Sequence, residues 1–83
     1  MKKIPTLIVD DEYLGRENLR YLVTQFCPSV ELIGAVGSID EAQHFIIKHK
    51  PRLVFLDIIM PGGSGLELLA RFPERDFLVV FVT

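Results

Sequence analysis

The sequence predicts an α/β fold built on a doubly wound parallel sheet, and three observations predict it. Short apolar runs alternate with stretches of helical periodicity along the whole chain. No repeat, low-complexity tract or linker interrupts that alternation. The runs end beside acidic or hydroxyl residues, as strand ends at a ligand-binding edge do. Alternating strands and helices make βαβ units, whose crossovers are right-handed and whose strands lie parallel.

The elements follow in order. Thr6-Leu7-Ile8-Val9 is rich in β-branched residues and reads as the first strand. From Tyr13 onward, Leu19, Leu22, Val23 and Phe26 recur at three- and four-residue steps, which is helix periodicity. Cys27-Pro28 closes that helix, because the residue before proline is pushed out of the helical region. Residues 30–35 make the second strand. Ser38 with Glu41 three residues later forms a capping box, followed by Ala42, Phe45, Ile46 and His49 on one face. Pro51 marks that helix's end. Leu53-Val54-Phe55-Leu56 is apolar at every position, so a strand covered on both faces is expected. Gly62, Gly63 and Gly65 mark a loop, and Leu66, Leu69 and Phe72 a short helix stopped by Pro73. Residues 77–82 form the fourth strand, after which the helix expected to cover it does not follow.

Length and charge narrow the function. Eighty-three residues suit one small domain, which buries only about 60% of the surface its unfolded chain exposes. One cysteine permits neither an internal disulfide nor a cysteine zinc cluster. Nine basic against eleven acidic residues leave no electrostatic footprint for nucleic acid. The longest apolar run falls far short of the ~20 residues of a membrane span, and the acidic triplet Asp10-Asp11-Glu12 ends any signal-like stretch. The expectation is a soluble cytoplasmic protein.

Parallel strands bring their C-terminal ends to one edge of the sheet, where ligands bind in open α/β folds. Asp10 and Asp11 follow the first strand, Asp57 the third and Thr83 the fourth. Three carboxylates in one cleft repel, each pair ~4 Å apart costing about 1 kcal/mol in water and about 4 at a partly buried site. Nothing basic lies near them in sequence. A hard divalent cation relieves the repulsion, and an all-oxygen site suits magnesium, manganese or calcium rather than zinc. One carboxylate is then left as a nucleophile toward phosphorus.

Leu7-Ile8-Val9-Asp10-Asp11-Glu12, Leu56-Asp57-Ile58-Ile59-Met60-Pro61 with Gly65 and Leu66, and Phe81-Val82-Thr83 together resemble the receiver domain of two-component response regulators. The resemblance spans residues 1–83 and implies a flavodoxin-like sheet in the order 2-1-3-4-5, here truncated after the fourth strand. It implies that Asp57 accepts a phosphoryl group from a sensor histidine kinase, with Mg²⁺ held by Asp10, Asp11, Asp57 and the Ile59 carbonyl. Thr83 is then the switch hydroxyl contacting the phosphoryl group, and Met60, Pro61 and Gly65 shape the loop after the acceptor. Such a domain signals rather than catalyses. Family receivers carry a phosphoryl-contacting lysine after a fifth strand, which falls beyond the chain's end, as do the last two helices and any output domain. The segment between Phe72 and Phe77 and the ending Phe81-Val82-Thr83 are similar to receivers that precede a LytTR-type DNA-binding domain.

Plainer readings compete. Asp10-Asp11-Glu12 alone suits the positive end of a helix dipole, but Asp57, directly after a buried apolar strand, needs a partner or a task. Gly62-Gly63-Ser64-Gly65 lacks the Gly-Lys-Ser/Thr ending of a Walker loop and reads as a turn. His44, His49 and Cys27 read as surface or packing residues. A structural pseudo-receiver would not need Asp10, Asp11, Asp57 and Thr83 together. A magnesium-dependent aspartyl phosphatase would need a second carboxylate where Ile59 stands. An uncapped fourth strand, apolar throughout, is expected to be an edge open to self-association.

Overall fold

The computed structural model describes residues 2–60 and 63–82. Strand β1 (Ile4–Val9) leads into helix α1 (Tyr13–Phe26), then β2 (Val30–Val36), α2 (Ile39–His49) and β3 (Leu53–Asp57). A two-residue pair, β4 (Ile59–Met60) and β5 (Gly63–Ser64), precedes α3 (Gly65–Ala70), and β6 (Leu78–Val82) follows. The main sheet runs β2-β1-β3-β6, and each neighbouring pair is parallel. The predicted elements are therefore present with ends shifted by one or two residues.

Two departures have physical causes. β4 and β5 pair antiparallel through Ile59 with Ser64 and Met60 with Gly63, within a stretch read as plain loop. Glycines and a two-residue length leave no periodicity from which to read such a pair. β3 is not covered equally on its two faces: Val54 and Leu56 are buried, whereas Leu53 and Phe55 are half-buried.

The unequal cover reflects where the core sits. Leu7, Val9, Val54 and Leu56 share one cluster with Ile39, Ala42 and Ile46 of α2, Leu68 of α3, Met60 and Phe77. Each fully buried aliphatic side chain contributes about 1.5–3 kcal/mol. On the opposite face, α1 packs against β1 and β2 and buries Val23. Leu22 and Phe26, expected on its apolar stripe, are exposed. Thr6, buried in β1, donates its hydroxyl to the Ile4 carbonyl at 2.9 Å.

Local signals set the edges of α2. The Ser38 hydroxyl accepts the Glu41 N–H at 3.1 Å, the first half of a capping box. The Glu41 carboxylate returns to the Ser38 hydroxyl rather than to its backbone N–H. Lys50 closes the helix in the left-handed region, φ 48°, ahead of buried Pro51. Arg71 ties α3 to α2, reaching Asp40 at 2.8 Å and Gln43 at 2.6 Å. That guanidinium holds the Asp40 carboxyl below the usual range. β2 carries one extra residue opposite Thr6 and Leu7 of β1, and its Gly34 lies under the Phe45 ring.

Candidate functional site

The parallel order sends the ends of β1 and β3 to the same edge, and their carboxylates meet there. One carboxylate oxygen from each of Asp10, Asp11 and Asp57 lies within 4.8 Å of the others. Asp57 is the last residue of β3, and Asp10 and Asp11 begin the turn from β1 into α1.

Each of the two strand-end aspartates is held by the backbone two residues on. The Glu12 N–H donates to Asp10 Oδ1 at 3.0 Å, and the Ile59 N–H to Asp57 Oδ1 at 3.1 Å. Such local turns fix the carboxylate's direction without a second element. The Asp57 carboxyl titrates above its ordinary range, chiefly because burial disfavours its charge. The Ile59 N–H opposes that shift, and the charges of Asp10 and Asp11 reinforce it.

Two glycines make room for this arrangement. A Cβ on Gly15, in the first turn of α1, would stand 2.6 Å from Asp10 Oδ2. A Cβ on Gly65 would collide with the Asp57 carbonyl oxygen and come within 2.9 Å of Leu56. The Gly65 N–H donates to the Ile58 carbonyl at 2.8 Å, so α3 starts hard against the end of β3. Gly65 was expected as a loop-shaping residue and instead begins the helix.

The other predicted positions divide. Met60 is buried in the core cluster, while the Ile59 side chain is 78% exposed and only its backbone faces Asp57. Pro61 and Thr83 lie outside the described residues. His44 and His49 are exposed on α2, His49 stacking on Phe45 at 4.4 Å between centroids. Cys27 is half-buried at the end of α1.

Behind the turn, Arg16, one turn into α1, donates from Nη1 to the Asp10 backbone carbonyl at 2.9 Å. Sequence reasoning missed Arg16, Gly15 and Gly37, since their signal lies only in contacts between elements.

The cluster can hold a hard cation. Its donors are all oxygens, they stand close enough to share one ion, and their mutual repulsion favours a positive charge between them. Among the described residues no helix is long and apolar enough to cross a membrane.

Comparison with known proteins agrees with this geometry. The family model for the response regulator receiver domain matches residues 6–83. The chain is 47% identical over 81 residues to an uncharacterized response regulatory protein of Shewanella oneidensis, covering 96% of this chain and 34% of that protein. It is 42% identical to the transcriptional regulatory protein BtsR of Escherichia coli K12, with the same two coverages. It is 34% identical to the sensory transduction protein LytT of Oceanobacillus iheyensis, covering 98% of this chain and 34% of that protein. The chain thus spans about a third of the length of these curated relatives. Among solved structures, the response regulator domain of Thermotoga maritima CheB superposes with a TM-score of 0.84 at 27% identity, covering 96% of this chain and 60% of that one. The receiver domain of the Mycobacterium tuberculosis regulator NarL gives 0.83 at 26% identity, with coverages of 98% and 66%. The strand order β2-β1-β3-β6, the meeting of strand-end carboxylates and the match across residues 6–83 carry one conclusion: the chain belongs to the receiver-domain family of two-component response regulators.

Proposed function

We propose that Asp57 is the phosphoacceptor of this receiver and that a magnesium ion is held there by Asp10, Asp11, Asp57 and the Ile59 carbonyl. The observation that carries the reading is the convergence of three carboxylates, from the ends of two parallel strands, within 4.8 Å. The donor is a phosphohistidine on a sensor histidine kinase. An Asp57 oxygen attacks phosphorus, a P–O bond forms as the P–N bond breaks, and imidazole leaves with the electron pair and takes up a proton. The Ile59 N–H holds Oδ1, which leaves Oδ2 as the attacking atom. Bound magnesium supplies neutralisation of the phosphoryl oxygens.

Thr83, the residue after β6, is assigned the hydroxyl that contacts the phosphoryl group, on sequence grounds. Phosphorylation adds about −1.5 to −2 charge at Asp57, and the response is a shift between two conformations. Relatives about three times as long include a transcriptional regulatory protein, which supports an output that acts on DNA. The test is labelling of the intact protein with acetyl phosphate and magnesium. One phosphoryl group should appear on the wild type and none on Asp57→Asn, which keeps the volume and loses the nucleophile. Full labelling of the variant contradicts the assignment.

A further inference from the structure

We propose that Arg16 is a positioning residue that holds the Asp10–Asp11 turn in the geometry the cation needs. The inference deepens the cation site proposed above and rests on it for its metal-binding part.

The turn hangs between three elements, and Asp10 is where they meet. Its N–H donates to the Val36 carbonyl at 3.1 Å, at the end of β2. Its Oδ1 takes the Glu12 N–H, and its Oδ2 faces the bare Cα of Gly15. Its carbonyl accepts from Arg16 Nη1 at 2.9 Å, a bond to a charged donor and so stronger than a neutral one. Asp11 is the next residue, so the position of its carboxylate follows from how that peptide is held.

Arg16 is itself fixed on two sides. Its guanidinium carbon stands 5.7 Å from the centroid of the Tyr13 ring, within reach of a cation–π attraction. On the other side lies Gly37, where a Cβ would come within 2.8 Å of Nη1 and 3.8 Å of the Asp10 carbonyl oxygen. The guanidinium therefore occupies the space that a side chain at position 37 would take. A methyl there displaces the end of a flexible side chain and leaves the Asp10 backbone at ordinary contact distance.

The geometry makes Gly37→Ala and Arg16→Ala two routes to one defect, and a double-mutant cycle reads that directly. Alanine is the best helix former, so Arg16→Ala leaves α1 intact. Two quantities are measured on the intact protein: hydrogen exchange of the Glu12 amide without metal, and the magnesium dissociation constant. Arg16→Ala should speed that exchange about tenfold and weaken magnesium about tenfold or more, the span for groups that orient metal ligands. Arg16→Lys should recover most of both, since an ammonium reaches the same carbonyl. Gly37→Ala should act like Arg16→Ala in the wild type and add nothing in the Arg16→Ala background. Unchanged Glu12 exchange in Arg16→Ala overturns the proposal, as does an equal effect of Gly37→Ala in both backgrounds. A wild type indifferent to magnesium defeats the cation reading alone, and the exchange cycle then decides the positioning role by the same criterion.

Discussion

Asp57 carries an electrostatic cost. Burial and the neighbouring Asp10 and Asp11 charges raise its carboxyl above the ordinary range, against the pull of the Ile59 N–H. A raised carboxyl means that the folded protein binds more protons than the unfolded chain in a window opening near pH 3.9. Stability therefore falls as pH climbs through that window, and the loss persists at neutral pH. Asp57→Asn removes the charge, so metal-free Asp57→Asn should melt above the wild type at pH 7. The gap should close below about pH 4, where the wild-type carboxyl is protonated in both states. Thermal melts across pH check this, and a variant that melts lower throughout contradicts it. The acidic residues were legible in the sequence because strand ends of a parallel sheet share one edge, so position along the chain implied position in space. Gly15, Arg16 and Gly37 were not legible. Each matters through an atom of another element, Asp10 Oδ2 or the Asp10 carbonyl, and no periodicity encodes such a contact.

At the scale of elements, legibility followed length and capping. α2 announced itself through Ser38 and Glu41 and through Ala42, Phe45 and Ile46 on one face, and it forms between those limits. The three-residue spacing of Leu66, Leu69 and Phe72 predicts the six-residue α3, yet Leu66 is exposed and Leu68, outside that spacing, is fully buried. A helix under two turns has too few apolar positions to set its phase, and packing against β3 decides it. That packing depends on Gly65, which brings the start of α3 onto the Asp57 carbonyl. Gly65→Ala inserts a methyl where backbone already stands, so the helix must shift or the end of β3 must bend. A loss of about 1–3 kcal/mol is expected, the usual cost of overpacking. Chemical denaturation of the intact variant measures it, and a stability equal to wild type would show that α3 seats less tightly than the structure has it.

For the whole molecule, the strand order that the receiver resemblance implies is the one observed through the fourth strand, with every neighbouring pair parallel as alternating strands and helices predict. Side-chain cover was less predictable. Within the described sheet β6 is an edge, with Leu78 72%, Val80 43% and Phe81 46% exposed. An apolar edge strand without charge, proline or glycine is a template for another chain. A polypeptide of these 83 residues alone should therefore self-associate at tens of micromolar, on the scale typical of aggregation-prone surfaces. Sedimentation showing a stable monomer there would contradict the prediction. At the C-terminal ends of the strands, Asp10, Asp11 and Asp57 stand close enough to hold the divalent cation proposed above. Binding to the folded state alone stabilises by mass action, about 2.7 kcal/mol once magnesium reaches a hundred times its dissociation constant. The direct measurement is the melting temperature of the intact protein over a magnesium titration at neutral pH. It should rise in the wild type and stay flat in Asp11→Asn, whereas superimposable wild-type curves from metal-free buffer to saturating magnesium would contradict the cation site.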